Sequence, residues 1–213
     1  MMRSARYPIK HIANELQGSG YIVVQQYLDA DVCVALAAEC RALHAAGQLR
    51  PAAVGRGGGR RELRAIRGDR TRWFDAAALT PAQAACWRAL QALRGELNRE
   101  LLLGLEEIEA HYALYPPGAH YARHRDRFRD DDARVLSSVL YLNPDWRAED
   151  GGALRLHLAG KTHYPHVDIY PEAGTLVLFL SADFEHEVLP AARERLSVAA
   201  WFRRREIGGA LRS

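Results

Sequence analysis

HYALYPPGAHYARHRD, residues 111–126, reads as two extended segments joined at Pro116-Pro117-Gly118 and closing on His124-Arg125-Asp126. Alternate residues of a strand project from the same face, so His124 and Asp126 stand together. An imidazole and a carboxylate placed in this way can share one metal ion. A mononuclear Fe(II) centre of the two-histidine, one-carboxylate kind then lacks only a second histidine. His186, in FEHEVLP (184–190), is the candidate, since the chain before it has room for several strands and a sheet that doubles back. Arg195, in RERLSVAAW (193–201), sits where a further strand could bring a permanent cation into the same pocket. A guanidinium there matches a carboxylate through two parallel hydrogen bonds.

Around that stretch the pattern is one of short strands: IEAHYALY, YARHRD, RVLSSVLYL, GALRLHL, HVDIY, TLVLFL, HEVLP and RLSVAAWF. Turn signals separate them, among them Asn143-Pro144-Asp145, Asp150-Gly151-Gly152 and Pro171-Glu172-Ala173-Gly174. Strands at this spacing predict a mainly β chain with flanking helices, its core a jelly roll of the cupin-like, double-stranded β-helix kind.

Ahead of the strands the sequence is helical. A short helix is predicted over 8–17, then a strand over YIVVQQYL (21–28), then a helix from Ala30 to about Ala46 with Asp29 as cap and Gly47 as stop. Three consecutive glycines make PAAVGRGGGRR (51–61) a loop, and with no Gly-Lys-Ser/Thr after it this is not a phosphate cradle. ELRAIRGDRTRWF (62–74) reads as two short strands joined at Gly68, an arginine-rich finger. Thr80-Pro81-Ala82-Gln83 opens a helix that runs to about Leu103, with Gly104 as its stop and Trp87, Leu90, Leu93, Leu97 and Leu101 as a core-facing stripe. The expected organisation is one domain over 1–213, a helical flank with the finger at 1–104 and a catalytic core at 105–205.

A chain of 213 residues that is 48% hydrophobic can bury a sizeable core. Its net charge of +3 selects no partner. Cys33, Cys40 and Cys86 have no metal-site spacing and read as reduced, buried thiols. The N-terminal residues lack an apolar signal core and no later run is long enough to cross a membrane, so the expectation is a cytoplasmic protein. Seven arginines between Arg56 and Arg72 could touch nucleic acid, but they lack interleaved aromatics beyond Trp73, and no nucleic-acid partner is expected.

Two His-x-Asp motifs compete. His166-Val167-Asp168 lies so near His186 that scarcely one hairpin fits between them, and it lacks the prelude that precedes His124; it is read as a surface strand. The paired His124 and Asp126, the distant His186 and the following Arg195 together resemble the 2-oxoglutarate- and Fe(II)-dependent oxygenases. More narrowly they resemble the prolyl 4-hydroxylase superfamily, in particular the oxygen-sensing prolyl hydroxylases and their bacterial relatives.

That resemblance implies further roles. Tyr141, in SSVLYLNPDW, falls where these enzymes share the distal carboxylate of 2-oxoglutarate between a tyrosine and the arginine; Tyr115 falls near the metal-bound end of the co-substrate, and Trp201 where they carry a pocket tryptophan. Arg67, Asp69 and Trp73 match their substrate-covering loop, and Arg134 the arginine that pairs with its aspartate, so an Asp69–Arg134 ion pair is expected to position the finger. RFRDDDA after Asp126 is longer than the family pattern. The implied activity is hydroxylation of a prolyl residue in a protein, using Fe(II), 2-oxoglutarate and O2 and releasing succinate and CO2, with ascorbate as a possible auxiliary. The bacterial members include enzymes acting on elongation factor Tu, so the implied partner is a protein with a target proline, that factor among the candidates. The alternatives are hydroxylation of a small molecule such as an amino acid, and a non-catalytic cupin-like binding module.

Overall fold

The computed structural model describes residues 8–52, 66–126, 133–158 and 165–205. Three helices, α1 (Ile9–Gly18), α2 (Ala30–Ala45) and α3 (Pro81–Leu101), precede the long run of strands. Strands β1 (Tyr21–Val24), β2 (Arg50–Pro51) and β3 (Arg70–Trp73) are interspersed among them. Then come β4 (Glu107–Tyr115), β5 (Tyr121–His124), β6 (Arg134–Tyr141), β7 (Leu154–His157), β8 (His166–Ile169), β9 (Leu176–Leu180), β10 (Glu185–Val188) and β11 (Arg195–Arg203).

From β4 onward the strands pass back and forth between two antiparallel sheets, with β7 and β8 paired as successive strands of the smaller one, which is the double-stranded β-helix expected from their spacing. One sheet has the order β1-β9-β6-β11-β4-β3-β2, the other β5-β10-β7-β8. Between them lies a core of Tyr115, Tyr141, Leu154, Leu156, Val177, Phe179 and Phe184. The outer face of the larger sheet is covered by the helices through Leu36, Cys40, Leu90, Leu93, Leu97, Tyr112, Leu140 and Phe202. Strand β9 is covered on both faces, which explains why LVLFL reads as a continuous apolar run. All three cysteines are free and buried.

Helix α3 begins as expected: the Thr80 hydroxyl oxygen accepts from Gln83 N at 3.2 Å. The same hydroxyl donates to Glu39 of α2 at 2.6 Å, tying the two helices together. Its end differs from the Gly104 stop. Leu102 turns into the left-handed region at φ 51, and the Asn98 side chain then bonds both the N–H and the carbonyl of Leu105 at 2.8 Å. The Asn98 side chain thus anchors the chain just past the helix end, and Gly104 (φ 66) lies within that turn. The strand foreseen over 21–28 stops at Val24, because Gln26 (φ 52) turns the chain and Tyr27 N donates instead to Gly174 O. Of the two strands foreseen in the finger, β3 is present; residues 62–65 and most of the preceding glycine-rich loop lie outside the described residues, as does 127–132 of RFRDDDA.

Candidate metal centre and its cavity

Strands β5 and β10 pair so that His124 and His186 stand directly opposite each other. Asp126 follows two residues after His124, and one ligand atom from each of the three lies within 4.8 Å of the others. His124 Nε2 is 3.6 Å from Asp126 Oδ1 and His186 Nε2 is 3.5 Å from Oδ2. Both imidazoles thus turn Nε2 inward. His124 Nδ1 donates to the Ala122 carbonyl at 2.8 Å, which fixes its tautomer. His186 Nδ1 faces the Phe184 carbonyl in the same way at 3.4 Å.

Burial pushes the His186 imidazole down to about 4, so it is neutral at pH 7, as a metal ligand must be. Burial works to raise Asp126, but His186, the hydrogen bond with His124 and the Ser137 hydroxyl outweigh it and hold the carboxyl well below its ordinary range. Ser137 Oγ donates to Asp126 Oδ2 at 2.7 Å and is itself in contact with Ser181 Oγ at 2.9 Å. Two imidazole nitrogens and one ionised carboxylate on one side of a cavity suit Fe(II) and leave adjacent positions open. His166 and Asp168 are elsewhere, on β8 at the edge of the smaller sheet, where Asp168 accepts two 2.7 Å hydrogen bonds from Arg155.

A cavity of about 1070 Å³ runs from this triad to the surface. Arg195, only 1% exposed, lies at its inner end. Its Nε donates to Gly152 O at 2.9 Å, while its Nη2 has no hydrogen-bond partner among the described residues. Tyr115 stands opposite Arg195 on β4, and Tyr141 opposite Ser197 on β6, so both rings flank the guanidinium, at 5.2 and 5.1 Å. Burial raises the Tyr141 hydroxyl to about 12, opposed by the neighbouring Arg195, which keeps it a donor; among the described residues that hydroxyl too is buried without a hydrogen-bond partner. An unmatched cation beside an unmatched hydroxyl is costly unless a carboxylate comes to them, and the distal carboxylate of 2-oxoglutarate fits.

The outer part of the cavity is aromatic. Trp73, His111 and Trp201 form a triangle with ring centres 4.7 to 5.9 Å apart, and the Arg134 guanidinium lies 3.9 Å over Trp201. Trp201 is six residues along β11 from Arg195, roughly 20 Å at about 3.3 Å per residue. It therefore stands with the finger and not beside the carboxylate-binding end.

The ion pair expected between Asp69 and Arg134 is replaced by two others. Asp69 accepts from Nε and Nη2 of Arg67, at 2.6 and 2.9 Å. Arg134 bonds Glu109 at 3.1 Å, and Glu109 also accepts from Arg203 at 2.7 Å. The reason is local: Arg67 reaches Asp69 within its own segment, and Glu109 on β4 reaches Arg203 of the neighbouring β11 and, beyond it, Arg134 of β6. Sequence reading missed Glu109, His111, Tyr121, Ser137 and Gly152. Ser137 was within reach, since 137, 139 and 141 share a strand face, and so was Tyr121, on the same strand as His124; Glu109, His111 and Gly152 depend on contacts between segments distant in sequence.

Fold and site together define a non-haem Fe(II) oxygenase of the double-stranded β-helix kind. Residues 110–203 match the model of the 2OG-Fe(II) oxygenase superfamily. A prolyl-4-hydroxylase from Pseudomonas putida, known from a crystal structure, is 46% identical with a TM-score of 0.83, covering 93% of this chain and 100% of that one. The protein belongs to the 2OG-Fe(II) oxygenase superfamily, among its prolyl hydroxylase-like members. A Trichoplax adhaerens prolyl hydroxylase, solved with a hypoxia-inducible factor peptide, is 25% identical with a TM-score of 0.77 over 92% of this chain and 88% of that one. The hypoxia-inducible factor prolyl hydroxylase of Caenorhabditis elegans is 29% identical over 95% of this chain, which spans only 29% of that protein's length. Among the described residues no helix is long and apolar enough to cross a membrane.

Proposed function

We propose that this chain hydroxylates a prolyl residue in a protein, using Fe(II), 2-oxoglutarate and O2. The observation that carries the reading is the cavity with a His124, Asp126, His186 triad on its wall and the unmatched Arg195 and Tyr141 at its inner end. Iron, when bound, supplies the oxygen chemistry that couples conversion of 2-oxoglutarate to succinate and CO2 with hydroxylation of a C–H bond. The protein's own part is binding and orientation. Ser137 holds the carboxylate of Asp126, the backbone carbonyls of Ala122 and Phe184 orient the two imidazoles, and Arg195 with Tyr141 anchors the co-substrate from the far end. Tyr115 packs beside Arg195. Trp73, His111, Trp201 and Arg134 form the side on which the target segment enters, and a flat aromatic lining suits a pyrrolidine ring. Arg67 and Asp69 brace the root of that entrance.

Support for a protein substrate comes from the similarity to prolyl hydroxylases, one of them holding a peptide. The bacterial resemblance makes elongation factor Tu the first substrate to test, ahead of free amino acids. Incubation of the iron-loaded protein with 2-oxoglutarate and purified elongation factor Tu is expected to add one oxygen to a proline, read by mass spectrometry of the digest. Succinate formed with free proline but with no protein or peptide would replace this reading with the small-molecule one.

A further inference from the structure

Residues 66–69, at the root of the finger, run antiparallel to 119–122, immediately before the metal-binding motif. Ala122 N donates to Ile66 O at 2.8 Å and Gly68 N donates to His120 O at 2.9 Å, with Arg67 paired to Tyr121 between them. The approach is so close that a Cβ on Gly68 would lie 3.0 Å from that of Ala119. Above this short ladder the side chains form a column. The Asp69 carboxylate, fully buried, grips the Arg67 guanidinium through both oxygens. That guanidinium lies 4.5 Å from the centre of the Tyr121 ring. Tyr121 in turn stacks on the His124 imidazole, centres 3.6 Å apart and planes 17° from parallel. A cation over an aromatic face and two stacked rings are each attractive and each directional.

The His124 ring thus has two constraints. The Nδ1 hydrogen bond to Ala122 O fixes the edge of the imidazole, and Tyr121 fixes its plane. Asp69 has a separate electrostatic task. A bare guanidinium close behind a ligand of a divalent cation would repel that cation, and the buried carboxylate cancels the charge locally.

We propose that Arg67 and Tyr121 are positioning residues for the metal ligand His124, and that they tie the root of the finger to the metal centre. The inference rests on the reading of His124, Asp126 and His186 as a metal site. The column links the finger to the ligand His124 from behind, while Trp73, on the strand that follows directly, lines the entrance in front. A movement of the finger that carries Arg67 is therefore felt at the His124 ring.

The test is titration of the metal-free protein with Co(II), following both affinity and the visible d–d absorption. Outer partners of ligating histidines typically contribute about 10- to 100-fold in metal affinity. Tyr121→Ala and Arg67→Ala are each expected to weaken Co(II) binding by about that factor and to shift the d–d bands. Tyr121→Phe, which keeps the ring, is expected to restore both. The double variant Arg67→Ala/Tyr121→Ala is expected to be no weaker than the worse single variant, since Arg67 acts through Tyr121. Asp69→Asn is expected to weaken binding through the uncompensated charge. Should Arg67→Ala not fold, as judged by circular dichroism, Arg67→Gln removes the same cation while keeping most of the side chain's length, and the same weakening is expected of it. Co(II) affinity and spectrum unchanged in the Arg67 and Tyr121→Ala variants would overturn the proposal and leave the metal site standing. Failure of the wild type to bind Co(II), or binding by His124→Ala equal to wild type, would overturn the metal-site reading and this proposal with it.

Discussion

Arg195 is a fully buried cation whose Nε bonds the Gly152 carbonyl and whose Nη2 is left free among the described residues. Loss of the charged partner of a buried carboxylate costs about 3 to 5 kcal/mol. Arg195→Ala is therefore expected to weaken 2-oxoglutarate binding by about a hundredfold or more, as measured by calorimetry with a redox-inert metal in the site. Arg195→Lys is expected to recover only part of this, because an ammonium keeps the charge and loses the fork. Ser137 is the second informative residue. Its hydroxyl donates to Asp126 from a position that is 1% exposed, so Ser137→Ala leaves one carboxylate oxygen without its donor. Metal affinity should fall about tenfold or more, with the fold intact by circular dichroism. An unchanged metal affinity would show that the Ser137 bond plays no part in ligand placement.

Among the elements, the turn before β7 shows how backbone shape serves the site. Gly152 has φ +69, and a Cβ there would meet Ala191 Cβ at 2.9 Å, the Trp146 ring at 3.0 Å and Arg195 Cδ at 3.4 Å. Only glycine satisfies both the dihedral and the space. Gly152→Ala is expected to cost more than about 1 kcal/mol of stability in urea titrations and to displace Arg195, so that 2-oxoglutarate affinity falls as well. Loss of stability with unchanged 2-oxoglutarate affinity would separate the turn from the co-substrate site. The finger is the other element of interest. It reaches the active site by pairing β3 with β4 and by the short ladder from 66–69 to 119–122, so its connection runs to Tyr121 and His124 and not to Arg134.

For the whole molecule, the buried histidines set a pH dependence. His111 is 2% exposed, and burial lowers it to about 4, helped by Arg67 and Arg134 and opposed by Asp69 and by its hydrogen bond to Tyr112 O. Unfolding returns it to an ordinary value near 6.5. Between these values the unfolded chain binds the extra proton, so stability rises with pH; it is complete above about 6.5 and is lost as pH falls toward 4. The loss from this one group is on the order of 3 kcal/mol over that window. The urea midpoint of the metal-free protein is expected to fall from pH 7 to pH 5, and to fall less in His111→Leu. Equal slopes in the two proteins would assign the effect to other groups, His186 first among them.

The sequence alone determined the helices, most of the strands and the pairing of His124 with Asp126, because each depends on short-range physics. Period-two alternation puts His124 beside Asp126, a threonine followed by proline and glutamine starts α3, and a leucine stripe marks its buried face. The order of strands along the chain was enough to expect two facing sheets and to seek the second histidine beyond several of them. Tertiary structure decided the partners. That His186 faces His124 across a strand pair, that Arg67 and not Arg134 takes Asp69, and that Trp201 joins Trp73 and His111 all depend on register between strands distant in sequence. A shift of one residue turns a strand's side chains to the opposite face. Register is fixed only when the whole core packs, and a single sequence does not display which of several nearby charges that packing brings within reach.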